Sequence, residues 1–331
     1  MISVRESNLS FNDYEPHVLD HIEEKLKALS EMSKTDRNFL NGIIRHYKPK
    51  KIVEIGVSYG ASSAILLNAT KDNEQSRVYS LDLSPIHYKD STKKTGFLIE
   101  ELFPEFLDRW ILQTGGLACE FLDQIGDGID LCLIDTTHRH PGEFLDYLMV
   151  LPYMKKDGII VIHDTCFHTF PNFPPSGTCN ILFSTIRGIR FSPTHWVEKY
   201  LPNIGAVQLE EKSFSDAWSI FNLLSLRWCY LITDQQIATM RRHFQKHYGA
   251  HEIFWFDQCC RYNLDEDKKD REQKELRLQK EKASQQLQIQ PKKNLPKQKD
   301  SISKKIASIV KSYLFFPYYT YKSYKILQKK Q

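Results

Sequence analysis

Two apolar runs each end in acids and imidazoles. Asp130-Leu-Cys-Leu-Ile-Asp135 leads into Thr-Thr-His138-Arg-His140, and Gly158-Ile-Ile-Val-Ile-His163 leads into Asp164-Thr-Cys-Phe-His168. Two carboxylates and several imidazoles at one rim suit a hard divalent cation with a base beside it. An imidazole of near-neutral pKa takes the proton of a hydroxyl, and a neighbouring cation holds a vicinal diol and lowers its pKa. A lone His is more often a satisfied core or surface residue, but four of the chain's twelve fall between positions 138 and 168. That clustering points to a site. His138 is the first choice for a base and His168 the second; whether Asp164 binds a metal or orients His138 stays open at this stage.

These residues need elements that bring them together. Each run reads as a buried strand, and Phe144 to Leu151 between them has helical apolar spacing closed by Pro152 and Gly158, so the pair forms a βαβ unit. A second unit lies upstream. Ile52, Val53 and Ile55 suit a strand buried on both faces, Gly56 and Gly60 allow a sharp turn, and a helix opens at Ala61. Arg77 to Leu83 is the next strand, with Asp82 at its end, 28 positions after Glu54. Parallel strands share one crevice at their C-terminal ends, so Asp82, Asp135 and Asp164 should converge beside Gly56. A strand-end acid there accepts hydrogen bonds from both hydroxyls of a ribose. A dinucleotide loop reads Gly-x-Gly-x-x-Gly/Ala; here Ser58 replaces its second glycine and Glu54 precedes the turn, so the spacing alone fits an ordinary strand-to-helix turn nearly as well.

The chain has 331 residues, is 41% hydrophobic and carries a formal net charge of +4, enough for one sizeable α/β core and a smaller appendage. No signal segment or apolar run of about 18 residues appears, and the seven cysteines include no Cys-x-x-Cys, so the expected setting is cytoplasmic. We divide it into an N-terminal helical segment (1–48), a main domain (49–263), a charged linker or solvated helix (264–300) and a basic amphipathic tail (301–331). The N-terminal helices are expected to cover the crevice as a lid or a homo-oligomer surface, and the aromatic and proline-rich loop from Phe170 to Gly177 to select the substrate. From Pro291 onward eleven Lys stand against the single acid Asp300, +10 in all, which leaves −6 for the remainder. Ile302, Ile306, Ile309, Val310, Tyr313 and Leu314 share one helical face there. Such a helix suits an anionic membrane surface, or packing on a partner or on the chain's own core, better than nucleic acid.

Taken in order, Glu54-x-Gly56-x-Ser58-x-Gly60, Asp82, Leu-Ile-Asp135-x-x-His138 and Lys-Lys-Asp-Gly-Ile-Ile-Val-Ile-His163-Asp164 resemble the motifs of class I S-adenosylmethionine-dependent methyltransferases. The branch resembled includes caffeoyl-CoA-type, macrolide-sugar and rhamnosyl O-methyltransferases and cephalosporin-hydroxylase-like proteins, and the likeness spans roughly residues 33–170. It implies a Rossmann-like α/β fold with a mostly parallel seven-stranded sheet. It also implies S-adenosylmethionine as cofactor, with Glu54, Gly56, Ser58 and Gly60 at its methionine end and Asp82 on its ribose. Gln113 to Leu117, with Gly115 and Gly116, would border the adenine, and Asp135 would adjoin the cofactor. In metal-dependent members the acids matching Asp135 and Asp164 bind Mg²⁺ or another divalent cation and the His matching His138 is the base. His163, where such members often have a carboxylate, is a further candidate ligand. The implied reaction is O-methylation of a saccharide or other small hydroxylated acceptor, with surface-glycan synthesis at the inner membrane face as one setting. A nicotinamide-dependent oxidoreductase and a non-catalytic binding protein of the same fold are the alternatives.

Overall fold

The computed structural model describes residues 10–169, 177–195 and 201–289. The chain divides into two units, residues 1–270 and 271–331. In the first, helices α1 (Asp20–Leu29) and α2 (Lys34–Tyr47) precede β1 (Lys51–Ile55), α3 (Ala61–Ala69) and β2 (Arg77–Asp82). Then come α4 (Phe97–Leu102), β3 (Trp110–Thr114), α5 (Ala118–Ile125), β4 (Ile129–Ile134), α6 (Gly142–Val150) and β5 (Met154–His163). The last group is α7 (Thr178–Thr185), β6 (Ile189–Phe191), β7 (Ile204–Gln208), α8 (Glu211–Ser215), α9 (Ala217–Leu223), α10 (Asp234–His247) and α11 (Ala250–Ile289). In the second unit the described residues belong to α11, and their side chains are exposed where described. The aromatic loop at 170–176 and the basic tail from 290 onward lie outside the described residues.

The seven strands form one sheet in the order β3-β2-β1-β4-β5-β7-β6, with β7 alone antiparallel to its neighbours. Alternate side chains build a core on each face. Val53, Ile55, Cys132, Ile134, Ile160 and Ile162 pack towards α5, α6 and α10. Ile52, Leu131, Leu133, Ile159 and Val161 pack towards α2 and α3. Burial on both faces is why these strands read as continuous apolar runs. Helix α2 packs on the sheet, since its Phe39, Leu40 and Ile43 are fully buried in the second core.

The chain winds from β1 outward through β2 and β3, then restarts on the other side with β4 and β5. The C-terminal ends of β1 and β4 therefore flank the point where the winding reverses, the place at which open parallel sheets bind ligands. Register aligns the ends. Ile55 pairs with Ile134, Ile134 with Ile162, and His163 with Ile204, so the next residues, Gly56, Asp135, Asp164 and Asn203, meet at one rim. Among the described residues no helix is long and apolar enough to cross a membrane.

Candidate active site

At that rim the turn after β1 is fixed by its neighbours. A Cβ on Gly56 would lie 1.9 Å from the carbonyl oxygen of Asp135, and the residue has φ +93°. Only glycine fits. Ser58 takes the left-handed conformation, φ +51°, that glycine would more readily adopt. The Asp82 carboxylate anchors this turn: Oδ2 accepts from the amides of Val57 at 2.9 Å and Ser58 at 3.4 Å, and Oδ1 from Ser84 N at 2.9 Å.

Two connected hollows open over the turn. The larger, about 550 Å³, is lined by Glu31, Tyr59, Tyr88, His138, Arg139 and Tyr230, among others. The smaller, about 330 Å³, runs from Gly56 to Ser58 past Asp82, Gly116 and Leu117 to α6 and α10. Asp135 and Thr136 border both. The acidic side chains on the smaller hollow are Asp82, Asp135 and Asp146, and among the described residues no Lys, Arg or His lines it.

Beside the larger hollow stands a carboxylate–imidazole cluster. His138 Nδ1 lies 2.9 Å from Asp164 Oδ2 and its Nε2 lies 3.9 Å from Asp135 Oδ1. His163 Nδ1 sits 3.3 Å from Asp135 Oδ2 and 3.4 Å from Asp164 Oδ2, and its Nε2 is 3.8 Å from Asp36 Oδ2. Asn203 Nδ2 donates to the other Asp164 oxygen, and Asn203 N to Asp36 Oδ1 at 2.9 Å. His138 and Asp164 have φ +53° and +59°, unusual backbone for such residues and a mark of functional sites. Burial disfavours the charged His138 ring, but the hydrogen bond to Asp164 and the charges of Asp135, Asp164 and Glu143 outweigh it and raise its pKa to about 9. His163 shows the same contest: burial opposes its charge, yet Asp164 and Asp135 hold its pKa well above the ordinary value. Burial would raise Asp164, and the charge of His163 with the hydrogen bond from His138 drives it the other way, well below the carboxylate range. The cluster is thus a set of imidazolium–carboxylate pairs.

The structure brings Gly56, Ser58, Asp82, Gly116 and Asp135 to the hollows and gathers Asp135, His138, His163 and Asp164 beside them. Glu54 lies elsewhere. It is fully buried, with Oε2 accepting from Ser63 Oγ and Ser80 Oγ at 2.5 Å each, and burial pushes its pKa up to about 7. It therefore ties β1 to β2 and α3 instead of facing a ligand. Gly60 and Gly115 line neither hollow. His168 is exposed on the turn after Asp164 and lines neither hollow. Donor atoms of Asp135, His138 and Asp164 lie within 4.8 Å of one another, so His138, rather than His163, completes the three-residue group that a cation would need. Reading the sequence missed Asp36, Glu143, Asp146, Tyr230 and Gln236. Only the i, i+3 spacing of Glu143 and Asp146, two acids on an otherwise apolar helix, signalled any of them.

Residues 53–165 match the sequence family described as a methyltransferase domain. No curated protein matches the chain. Among solved structures, an O-methyltransferase from Bacillus cereus in complex with SAH is 19% identical, over 58% of this chain and 90% of that one, with a TM-score of 0.43. The SAH-bound methyltransferase PaMTH1 from Podospora anserina is 16% identical over 64% of this chain and all of that one, with a TM-score of 0.43. The O-methyltransferase TomG from Streptomyces achromogenes, in complex with SAM, is 14% identical over 60% of this chain and 91% of that one, also at 0.43. The stretch that matches the methyltransferase domain, residues 53–165, carries the anchored turn, Asp82, Asp135, His138 and the His163–Asp164 pair.

Proposed function

We propose that the chain is an S-adenosylmethionine-dependent O-methyltransferase acting on a small hydroxylated acceptor. The observation that carries this reading is the make-up of the smaller hollow: three carboxyl groups and, among the described residues, no basic side chain. A pyrophosphate would meet like charge there, and the Val57 and Ser58 amides that would cradle it already bind Asp82. The nicotinamide reading fails on that ground. S-adenosylmethionine brings a sulfonium, an ammonium, ribose hydroxyls and an exocyclic amine, which this wall accommodates, against a single carboxylate in place of a doubly charged pyrophosphate. Asp82 retains lone pairs on Oδ1 for a ribose hydroxyl. The methionine end falls to the turn from Gly56 to Ser58 and to Asp135, not to Glu54.

When bound, the sulfonium supplies a methyl group to an oxygen nucleophile by in-line displacement. The protein aligns that oxygen and removes its proton. His138, whose Nδ1 lies 2.9 Å from Asp164 Oδ2, is the imidazole that lines the larger hollow, and it takes the acceptor's proton. His163 holds Asp135 and Asp164 in place. Its Nδ1 lies within 3.4 Å of an oxygen of each acid, so a cation held by Asp135, His138 and Asp164 would have to compete with this ring for both carboxylates, and the reaction is read as metal-independent. Tyr59, Tyr88 and Tyr230, with Ser58, Ser62 and Thr137, give the larger hollow aromatic faces and hydroxyls, which suit a saccharide ring.

The test is incubation with S-adenosylmethionine and a panel of hydroxylated acceptors, read by mass spectrometry. We expect a gain of one methyl on a sugar or related hydroxyl compound. Transfer to nitrogen or carbon acceptors alone would contradict the reading.

A further inference from the structure

The far end of the smaller hollow is built by α6 and by residues downstream of the methyltransferase domain. Leu145, Asp146 and Met149 come from α6, Tyr230 from the segment before α10, and Gln236 and Met240 from α10 itself. This wall is apolar except for the Gln236 amide, the Tyr230 phenol and one acid. Asp146 Oδ2 accepts from Thr136 Oγ1 at 2.8 Å. Its other oxygen has no hydrogen-bond partner among the described residues. An acid on an apolar wall with an open lone pair needs a donor, and the ligand is the group that can bring one.

We infer that Asp146 recognises the exocyclic amine of a 6-aminopurine, so that the base of the bound nucleoside is selected here and not by the loop after β3. The inference rests on the adenosyl reading above. With the ribose at Asp82, the base extends past Gly116 and Leu117 into this end of the hollow, where Leu145, Met149 and Met240 supply apolar contacts for its faces. The loop after β3 offers no acid for the task. Glu120 on α5, whose Oε2 accepts from Leu117 N at 2.7 Å, does not line the hollow, and neither does Gln113 on β3, which pairs with Gln124. Burial, and next the charge of Glu143, raise Asp146 to about 7. Above that pH it is ionised and accepts from the amine. A 6-oxo purine presents an oxygen where the amine would be and meets an acceptor with an acceptor.

The experiment is titration calorimetry of the full chain with S-adenosylhomocysteine and with its 6-oxo counterpart S-inosylhomocysteine, repeated on Asp146→Asn. The wild type should prefer the adenosyl ligand by about tenfold or more, the scale of one buried hydrogen bond with an unmatched partner. The Asn amide can donate to the 6-oxo group while its oxygen still accepts from Thr136, so the variant should narrow or reverse the preference. Equal binding of both ligands by the wild type, or an unchanged preference in a variant that melts like wild type, would overturn the role of Asp146 and leave the adenosyl reading intact. Binding of neither ligand would overturn both. The wild-type comparison stands even if the variant fails to fold.

Discussion

His138 sits between two opposing demands: a base must be neutral to act, yet the carboxylates around it favour its charged form. With the folded pKa near 9, the unliganded enzyme holds it protonated at neutral pH. Accordingly kcat/KM should rise with pH to a plateau near 9, and Asp164→Asn, which removes one charge and the acceptor of Nδ1, should move that limb towards acid and lower the plateau. A flat profile between pH 6 and 9 would contradict His138 as the base. His138→Ala should cost about 10²–10⁴ in turnover with cofactor affinity nearly unchanged. The same shift acts on stability. Because the folded value lies above the ordinary 6.5, His138 stabilises the fold fully below pH 6.5 and progressively less as pH rises through about 9. A melting-temperature series against His138→Gln over that range reads it. Excess EDTA should leave activity intact; loss restored by Mg²⁺ would return the metal to Asp135, His138 and Asp164.

At the scale of elements, the turn after β1 is the part least able to change. Gly56→Ala would drive a methyl into the Asp135 carbonyl, and we expect destabilisation of at least about 2 kcal/mol together with loss of cofactor binding. Unchanged melting and affinity would mean that the β1 and β4 ends are not locked as described. How far the sequence was legible also becomes clear here. Strands buried on both faces announce themselves as apolar runs, so β1, β2, β4 and most of β5 were readable. The start of β5 was not. Met154 to Asp157 extend the strand although Lys155, Lys156 and Asp157 are exposed, and an exposed charged stretch before a glycine reads as a turn. Three-residue β6 carries too few residues for any period. Rim acids followed from the strand ends. The Glu54 carboxylate did not, because residues within one buried strand alternate between faces and only the neighbours Ser63 and Ser80 reveal which way it points. Asp36 approaches His163 from another element entirely, a contact that spacing along the chain cannot carry.

For the whole molecule, the first unit should stand without the tail. Phe256, Cys259 and Asn263 of α11 are buried in it, and Asp270 pairs with Arg227 at 2.6 Å, so a chain ending at Asp270 keeps these contacts. We expect it to bind cofactor normally and to stay in the supernatant with anionic liposomes, whereas the full chain cosediments at low salt and releases as salt screens its lysines. A full chain indifferent to such liposomes would assign the basic tail to protein packing. The central claim is the chemistry of the smaller hollow, and calorimetric titration of the full chain with S-adenosylhomocysteine and separately with NAD⁺ tests it most directly. The three-carboxylate wall predicts saturable binding of S-adenosylhomocysteine, weakened at least tenfold by Asp82→Ala, and no binding of NAD⁺; saturable NAD⁺ binding without S-adenosylhomocysteine binding would contradict the account.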